Sequence, residues 1–242
     1  MGVQFRALDA LLTPHAGLFW ETIRREYPTC KELGQIVPQL EDFSKPGGLE
    51  NKEFEIGQFP RILFEHDSHQ WLVQLQRDRF LHNWRLVANG SYPRYEAVST
   101  AFFQQWNNFL EFVRANNLGA IEPTQYEITY LNEITPWGSG DDIGRIFPDF
   151  VWHDRHVFLN RPESVSFNAT FLSDDRSSRL RANARPAKHL TRGDVLLFDL
   201  TVRGFDHGND LPAWFGAGRE WIVRAFADLT SNEWHDRWGR IA

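Results

Sequence analysis

Apolar residues recur along this chain in two rhythms, one helical and one alternating, and together they predict most of its elements. Trp20, Ile23 and Tyr27 are spaced for one helix face, behind a Thr13-Pro14 start and ahead of Pro28, so a helix is expected over residues 13–27. Tyr95, Val98, Phe102, Trp106, Phe109 and Val113 predict a second helix over 95–113, closed by Asn116, Asn117 and Gly119. Trp214, Trp221, Ala225 and Leu229 predict a third over 213–229. Thr230-Ser231-Asn232-Glu233 then reads as a capping box for a short helix carrying Trp234 and Trp238 and ending at Gly239.

Alternating or short apolar runs predict strands over 4–8, 61–65, 71–76, 126–134, 150–159, 164–172, 179–188 and 195–203. The runs 61–65 and 71–76 flank His66-Asp67-Ser68-His69 and read as a hairpin. Residues 29–60 hold Pro38, Pro46, Gly47, Gly48, Gly57 and Pro60 without periodicity, which predicts a long irregular connection or an insertion with short strands. The grammar is α+β: antiparallel sheet with long helices packed on one face, in two similar strand-then-helix halves, 1–137 and 138–242, forming one compact unit.

Composition narrows the class. The 242 residues are 42% hydrophobic and 24% charged, which excludes collagen-like, disordered and coiled-coil chains. The single cysteine, Cys30, excludes an intramolecular disulfide and a Cys-based zinc site and points to a reducing compartment. No run approaches the ~18 apolar residues of a membrane span, the first residues lack a signal-peptide pattern, and Arg6 stands where a myristoylation motif wants Ser or Thr. A soluble cytoplasmic protein without membrane contact is therefore expected. The net charge of −6 argues against wholesale nucleic-acid binding. Aromatic residues reach 14%, with 20 Phe and 10 Trp against one Met, so rigid rings must do the gap filling.

The chemistry is sparse. No phosphate-loop, nucleophile-elbow or zinc-protease motif occurs. The pairs His66/His69 and His153/His156 have i, i+3 spacing but fall outside expected helices, and solvated turns explain them better than a metal. Residues 206–210, Asp-His-Gly-Asn-Asp, lack the ligand alternation of a calcium loop and read as a polar connection. Gly216 and Gly218 follow no βαβ strand and suit close helix packing. Cys30 follows a helix C-terminus, where the dipole disfavours a thiolate. The one charge asymmetry runs from Arg176 to Arg192 without an acidic residue. There Arg179, Arg181, Asn183 and Arg185 share a strand face, either as a grip for phosphates or carboxylates or as a solvated face paired with Asp174, Asp175 or Asp199. Arg77-Asp78-Arg79, with Asn83 and Asn132, offers a second polar groove.

The string Leu75-Gln76-Arg77-Asp78-Arg79-Phe80 with Asn83-Trp84, then Tyr92-Pro93, Tyr130-Leu131-Asn132 and Trp238-Gly239, resembles a sporadically distributed prokaryotic family of uncharacterised proteins of about this length. The likeness covers most of the chain, least so 29–60 and 140–160, and departs from the family in lacking a proline-acidic lead-in before the first strand. It implies an architecture and no reaction. The leading expectation is a non-catalytic interaction or accessory protein that docks another protein through Trp234 and Trp238. The alternative is a binder of a small anionic ligand or nucleotide, its enzyme version acting on phosphate esters or nucleic acid, with Arg77, Arg79, Asn132, Arg179, Arg181 and Arg185 lining the groove. Neither expectation calls for a cofactor, a metal or a catalytic residue.

Overall fold

The computed structural model describes residues 1–37, 39–50, 59–87, 90–135, 143–150, 158, 162, 164–189, 191–205 and 210–239. The chain is mixed α/β on antiparallel sheet and divides into two compact units, Met1–Glu127 and Ile128–Ala242. The division falls inside one strand, ahead of the expected break at Pro136.

The first unit contains β1 (Gly2–Phe5), α1 (Thr13–Ile23), β2 (Thr29–Leu33), a two-residue pair β3 (Glu41–Asp42) and β4 (Gly48–Leu49), β5 (Arg61–Glu65), β6 (Trp71–Gln76), β7 (Arg79–Trp84), α2 (Arg94–Ala115) and the start of β8 (Pro123–Ile134). Its strand order is β2-β5-β6-β7-β1-β8, with each neighbouring pair antiparallel. The hairpin over 61–76 has the expected ends. The opening strand starts two residues and ends three residues earlier than the 4–8 pattern suggests, because Val3 pairs with Phe80 on one side and Tyr126 on the other. Arg77-Asp78 makes a tight return into β7, whose Arg-Phe-Leu-His-Asn-Trp run alternates but is broken by charge.

Period-two alternation places Val73, Leu75, Phe80, Val3 and Tyr126 on one face, all buried. Helix rings close over it. Phe19 of α1 meets Phe64, Phe109 and Phe112 with centroids 5.8, 5.5 and 5.4 Å away, and Phe80 stacks on Phe109 at 5.2 Å. The face α1 buries is Ala16, Phe19 and Ile23 rather than Trp20, and the helix stops at Ile23. Beyond it a turn delivers the buried Tyr27, whose carbonyl accepts from Trp20 Nε1 at 2.8 Å.

The second unit holds the rest of β8, α3 (Ile143–Ile146), a 3-10 turn at Pro148–Phe150, β9 (Phe167–Leu172), β10 (Ser178–His189), β11 (Gly193–Gly204), α4 (Leu211–Leu229) and α5 (Asn232–Arg237), with strand order β8-β11-β10-β9. Contacts of Thr129 with Thr201 and of Asn132 with the Phe198 carbonyl run β8 antiparallel to β11. Phe150 belongs to the 3-10 turn rather than opening a strand; of the expected strand over 150–159, residues 151–157 and 159 lie outside the described residues. Asp210 caps α4 by accepting from the Ala213 N–H at 3.0 Å. The buried stripe of α4 is Trp214, Phe215, Gly218, Ile222 and Leu229, one step round from the expected Trp221 and Ala225. Gly218 is where the helix comes closest, since a Cβ there would stand 3.1 Å from Ile128 Cγ2. Gly216 has no such neighbour. Ser231, not Thr230, precedes α5, and Gly239 ends it at φ +65°. Among the described residues no helix is long and apolar enough to cross a membrane.

Candidate functional site

The side of the first unit's sheet away from Val73 and Phe80 should be polar and wet on the alternation rule. It is polar, and it is buried. Register aligns Gln76 with Arg79, Arg79 with Gln4 and Gln4 with Gln125 across β6, β7, β1 and β8. These four side chains, with Gln74 two residues before Gln76 on the same face, retain only 3–5% exposure.

Backbone of the segment after β2 meets two of them. Gln76 grips Ile36 at both backbone groups, Oε1 accepting from its N–H at 3.1 Å and Nε2 donating to its carbonyl at 3.2 Å. Gln125 does the same at the other end, accepting from the Glu41 N–H and donating to the Gln39 carbonyl, both at 2.8 Å. Four neighbouring strands place these two glutamines about 14 Å apart, and five residue steps of extended chain reach about 17 Å. In strand order, Arg79 and Gln4 lie between these two moorings.

Two amide atoms in this layer are buried without a hydrogen-bond partner: Oε1 of Gln4 and Nε2 of Gln74. Orphaned buried polar atoms are rare in folded chains and call for a bound group or water. A guanidinium flanked by amide donors and acceptors matches a small anion that also carries hydrogen-bonding groups.

The other sequence candidates separate. Arg77 does not join Arg79: its Nε donates to the Leu11 carbonyl at 3.1 Å and its Nη2 to the Asp9 carbonyl at 2.8 Å, fastening the chain between β1 and α1. In the second unit Arg179, Arg181, Asn183 and Arg185 do share a face of β10, but with a gradient, from Arg179 at 2% exposure through half-buried Arg181 to exposed Arg185. A carboxylate enters that face, because Asn183 Nδ2 donates to Asp199 at 2.7 Å. Asp175 is taken by its own turn, accepting from Ser173 and Ser177. Asn132 donates to the Phe198 carbonyl at 3.3 Å. Trp234 is buried at 7% exposure and packs on Trp238, which reaches Phe226, so only Trp238 of that pair keeps partial exposure.

His66 and His69 occupy a hairpin tip as ordinary turn residues, Nδ1 of His66 accepting from the Ser68 N–H and Nδ1 of His69 bonding Glu65 at 2.8 Å. His153, His156 and residues 206–209 lie outside the described residues. Among the described residues no three metal-ligating side chains gather. The Cys30 thiol stands on β2, its pKa raised by burial and by Glu32.

Sequence reasoning missed two buried groups. Glu65 is reached by Lys31 at 2.8 Å, by His69 and by Arg85, and these contacts, the Lys31 bond foremost, hold its carboxyl down at about 2. His82, on the apolar face, is fully buried, stacks on Trp71 and shares a 2.9 Å hydrogen bond with the Tyr27 hydroxyl. Burial first, then the terminal ammonium and His66, pull its pKa down to about 3, and burial pushes the Tyr27 hydroxyl up. Alternation could have flagged His82 as an inward residue of β7; nothing local marks Glu65.

No protein-family model, curated protein or solved structure matches the chain.

Proposed function

We propose that the chain is a cytoplasmic, non-catalytic binding or accessory protein that takes up a small anionic molecule at the buried amide row beside Arg79. The observation that carries this reading is the pair of orphaned amide atoms, Gln4 Oε1 and Gln74 Nε2, in the same buried layer as Arg79. The reading takes the long helices as lying on one sheet face, which leaves the opposite face for the ligand. Calorimetric titration with phosphate, sulfate, citrate and glutamate at low salt tests it. At least one should bind with Kd below 1 mM and raise the melting temperature. Arg79→Gln and Gln4→Leu should each weaken it at least tenfold, while the exposed Arg185→Gln should not. Absence of binding by all four anions, or equal binding in both variants of the row, overturns the proposal.

Docking to another protein is a second reading, favoured by β9. Among the described residues this strand is the last in its sheet, and it leaves Phe171 and Leu172 at 41% and 39% exposure. Here Phe171→Lys, more than Trp238→Ala, should abolish an assembly seen by size measurement; assembly unchanged in both excludes it.

A further inference from the structure

Among the described residues β9 pairs only with β10. Its sequence, Phe-Asn-Ala-Thr-Phe-Leu, holds no charge and no proline, the residues that ordinarily protect an open edge from pairing with another chain. The first unit's terminal strand β2, by contrast, carries Lys31 and Glu32. The β9–β10 hairpin fixes which backbone groups of β9 face outward. The Ser173 N–H donates to the Ser178 carbonyl at 2.9 Å, and alternation along the antiparallel ladder then assigns the bonds to β10 to Phe171, Ala169 and Phe167. Asn168, Thr170 and Leu172 therefore aim their N–H and C=O groups away from β10, along an edge where Asn168, Phe171 and Leu172 are exposed.

We infer that β9 pairs with β9 of a second copy of this chain, antiparallel about a two-fold axis at Thr170. The inference rests on the β9 docking reading and adds the identity of the partner. Self-complementarity carries it. A two-fold axis perpendicular to the sheet keeps each face on its own side, so even residues meet even residues and odd meet odd. With the axis at Thr170, Asn168 lies opposite the second copy's Leu172 and Thr170 opposite its own counterpart, so every outward N–H and C=O of β9 finds a partner. On the apolar face the same register sets exposed Phe171 against the second copy's Ala169, a ring over a methyl group, with the second Phe171 as its diagonal neighbour about 7–8 Å away. Charge does not oppose the pairing. The arginine aligned with Thr170 is Arg181, and the two copies of it lie three strand spacings apart, about 14 Å, beyond the Debye length of ~8 Å.

Sedimentation velocity and residue-resolved amide exchange on the full chain test the pairing. Between about 1 μM and about 500 μM the natural protein should pass from monomer to dimer, as suits a small interface. Over that range the Asn168, Thr170 and Leu172 amides should slow about tenfold or more, while those of Ala169 and Phe171, already bonded to β10, keep their rates. Thr170→Pro deletes an N–H that makes no bond to β10, at an edge position where proline is tolerated, so it should keep its melting temperature and stay monomeric. Phe171→Lys is the second variant should Thr170→Pro fold poorly, and it too should stay monomeric. A natural protein that is monomeric at about 500 μM, or that dimerises equally in both variants, overturns the inference. Protection of the three even-numbered amides that does not change with concentration also overturns it, since a segment of the same chain then occupies the edge. If the chain stays monomeric while Phe171→Lys abolishes an assembly with a different protein, the second copy fails and the docking reading stands. If that assembly is unchanged as well, both fail.

Discussion

Lowering the pH from 7 to 5 should destabilise this protein through His82, in addition to the buried terminal ammonium, whose pKa burial lowers to about 6. Its ring is closed in on every side, by Trp71 stacked at 5.3 Å, by the Tyr27 hydroxyl on Nε2, and by apolar β6, while Nδ1 has no hydrogen-bond partner to help it hold a proton. The groups that face it, the amino terminus and His66 beyond Tyr27, oppose a second positive charge. Its folded pKa of about 3 lies below the ordinary 6.5, so between those values the unfolded chain binds a proton that the folded chain refuses. The contribution of His82 is complete above pH 6.5 and falls as pH drops towards 3. At pH 5 the gap is about 1.5 pH units below the unfolded pKa, which at ~1.4 kcal/mol per unit is about 2 kcal/mol. Urea unfolding followed by tryptophan fluorescence, at pH 7 and pH 5, should show the natural protein losing about 2 kcal/mol more than His82→Gln over the same interval. Gln offers an amide to Tyr27 and does not titrate, so its own packing cost cancels in the comparison. Equal losses in the two proteins would refute the argument that burial keeps this imidazole neutral.

Three further substitutions have definite expected outcomes. Glu65→Gln should cost about 1–2 kcal/mol at pH 7, because Lys31, His69 and Arg85 lose a shared carboxylate. The folded carboxyl titrates near 2 and the free one near 4.5, so this difference should shrink as pH falls through that window, which acid titration of both proteins reads. Gly204→Ala should destabilise by about 1–3 kcal/mol, since a Cβ would sit 2.2 Å from Ser178 Oγ and 2.4 Å from the Ser177 carbonyl. Gly216→Ala, inside α4 with nothing within 4 Å, should instead stabilise by about 0.5–1 kcal/mol in thermal unfolding.

The periodic signals were sufficient for the elements whose own residues dictate their state. Rings at helical spacing marked α2 within two residues of its ends, and the 61–76 hairpin needed only its alternation and its polar tip. Boundaries slipped where a tertiary partner decided them. Strand β1 starts at Gly2 because Leu81 and Glu127 flank it there, and Leu81 leaves no room for a Cβ at that position. In α4 the buried stripe turned towards Phe215 and Gly218 because the helix can approach β8 and β11 closely only where a side chain is missing.

The candidate site was half visible. The string around Arg79 pairs it with Arg77, whose guanidinium instead holds the Leu11 and Asp9 carbonyls. Gln4, Gln74, Gln76 and Gln125 lie on three strands separated by up to 121 positions, and only strand order aligns them. By itself the sequence determined which face of each strand is apolar, since a period of two admits no other assignment. It left open what the polar face meets. Water is the default; the fold instead brings backbone groups of Ile36, Gln39 and Glu41 to the Gln76 and Gln125 amides, a meeting that only strand order and chain path decide.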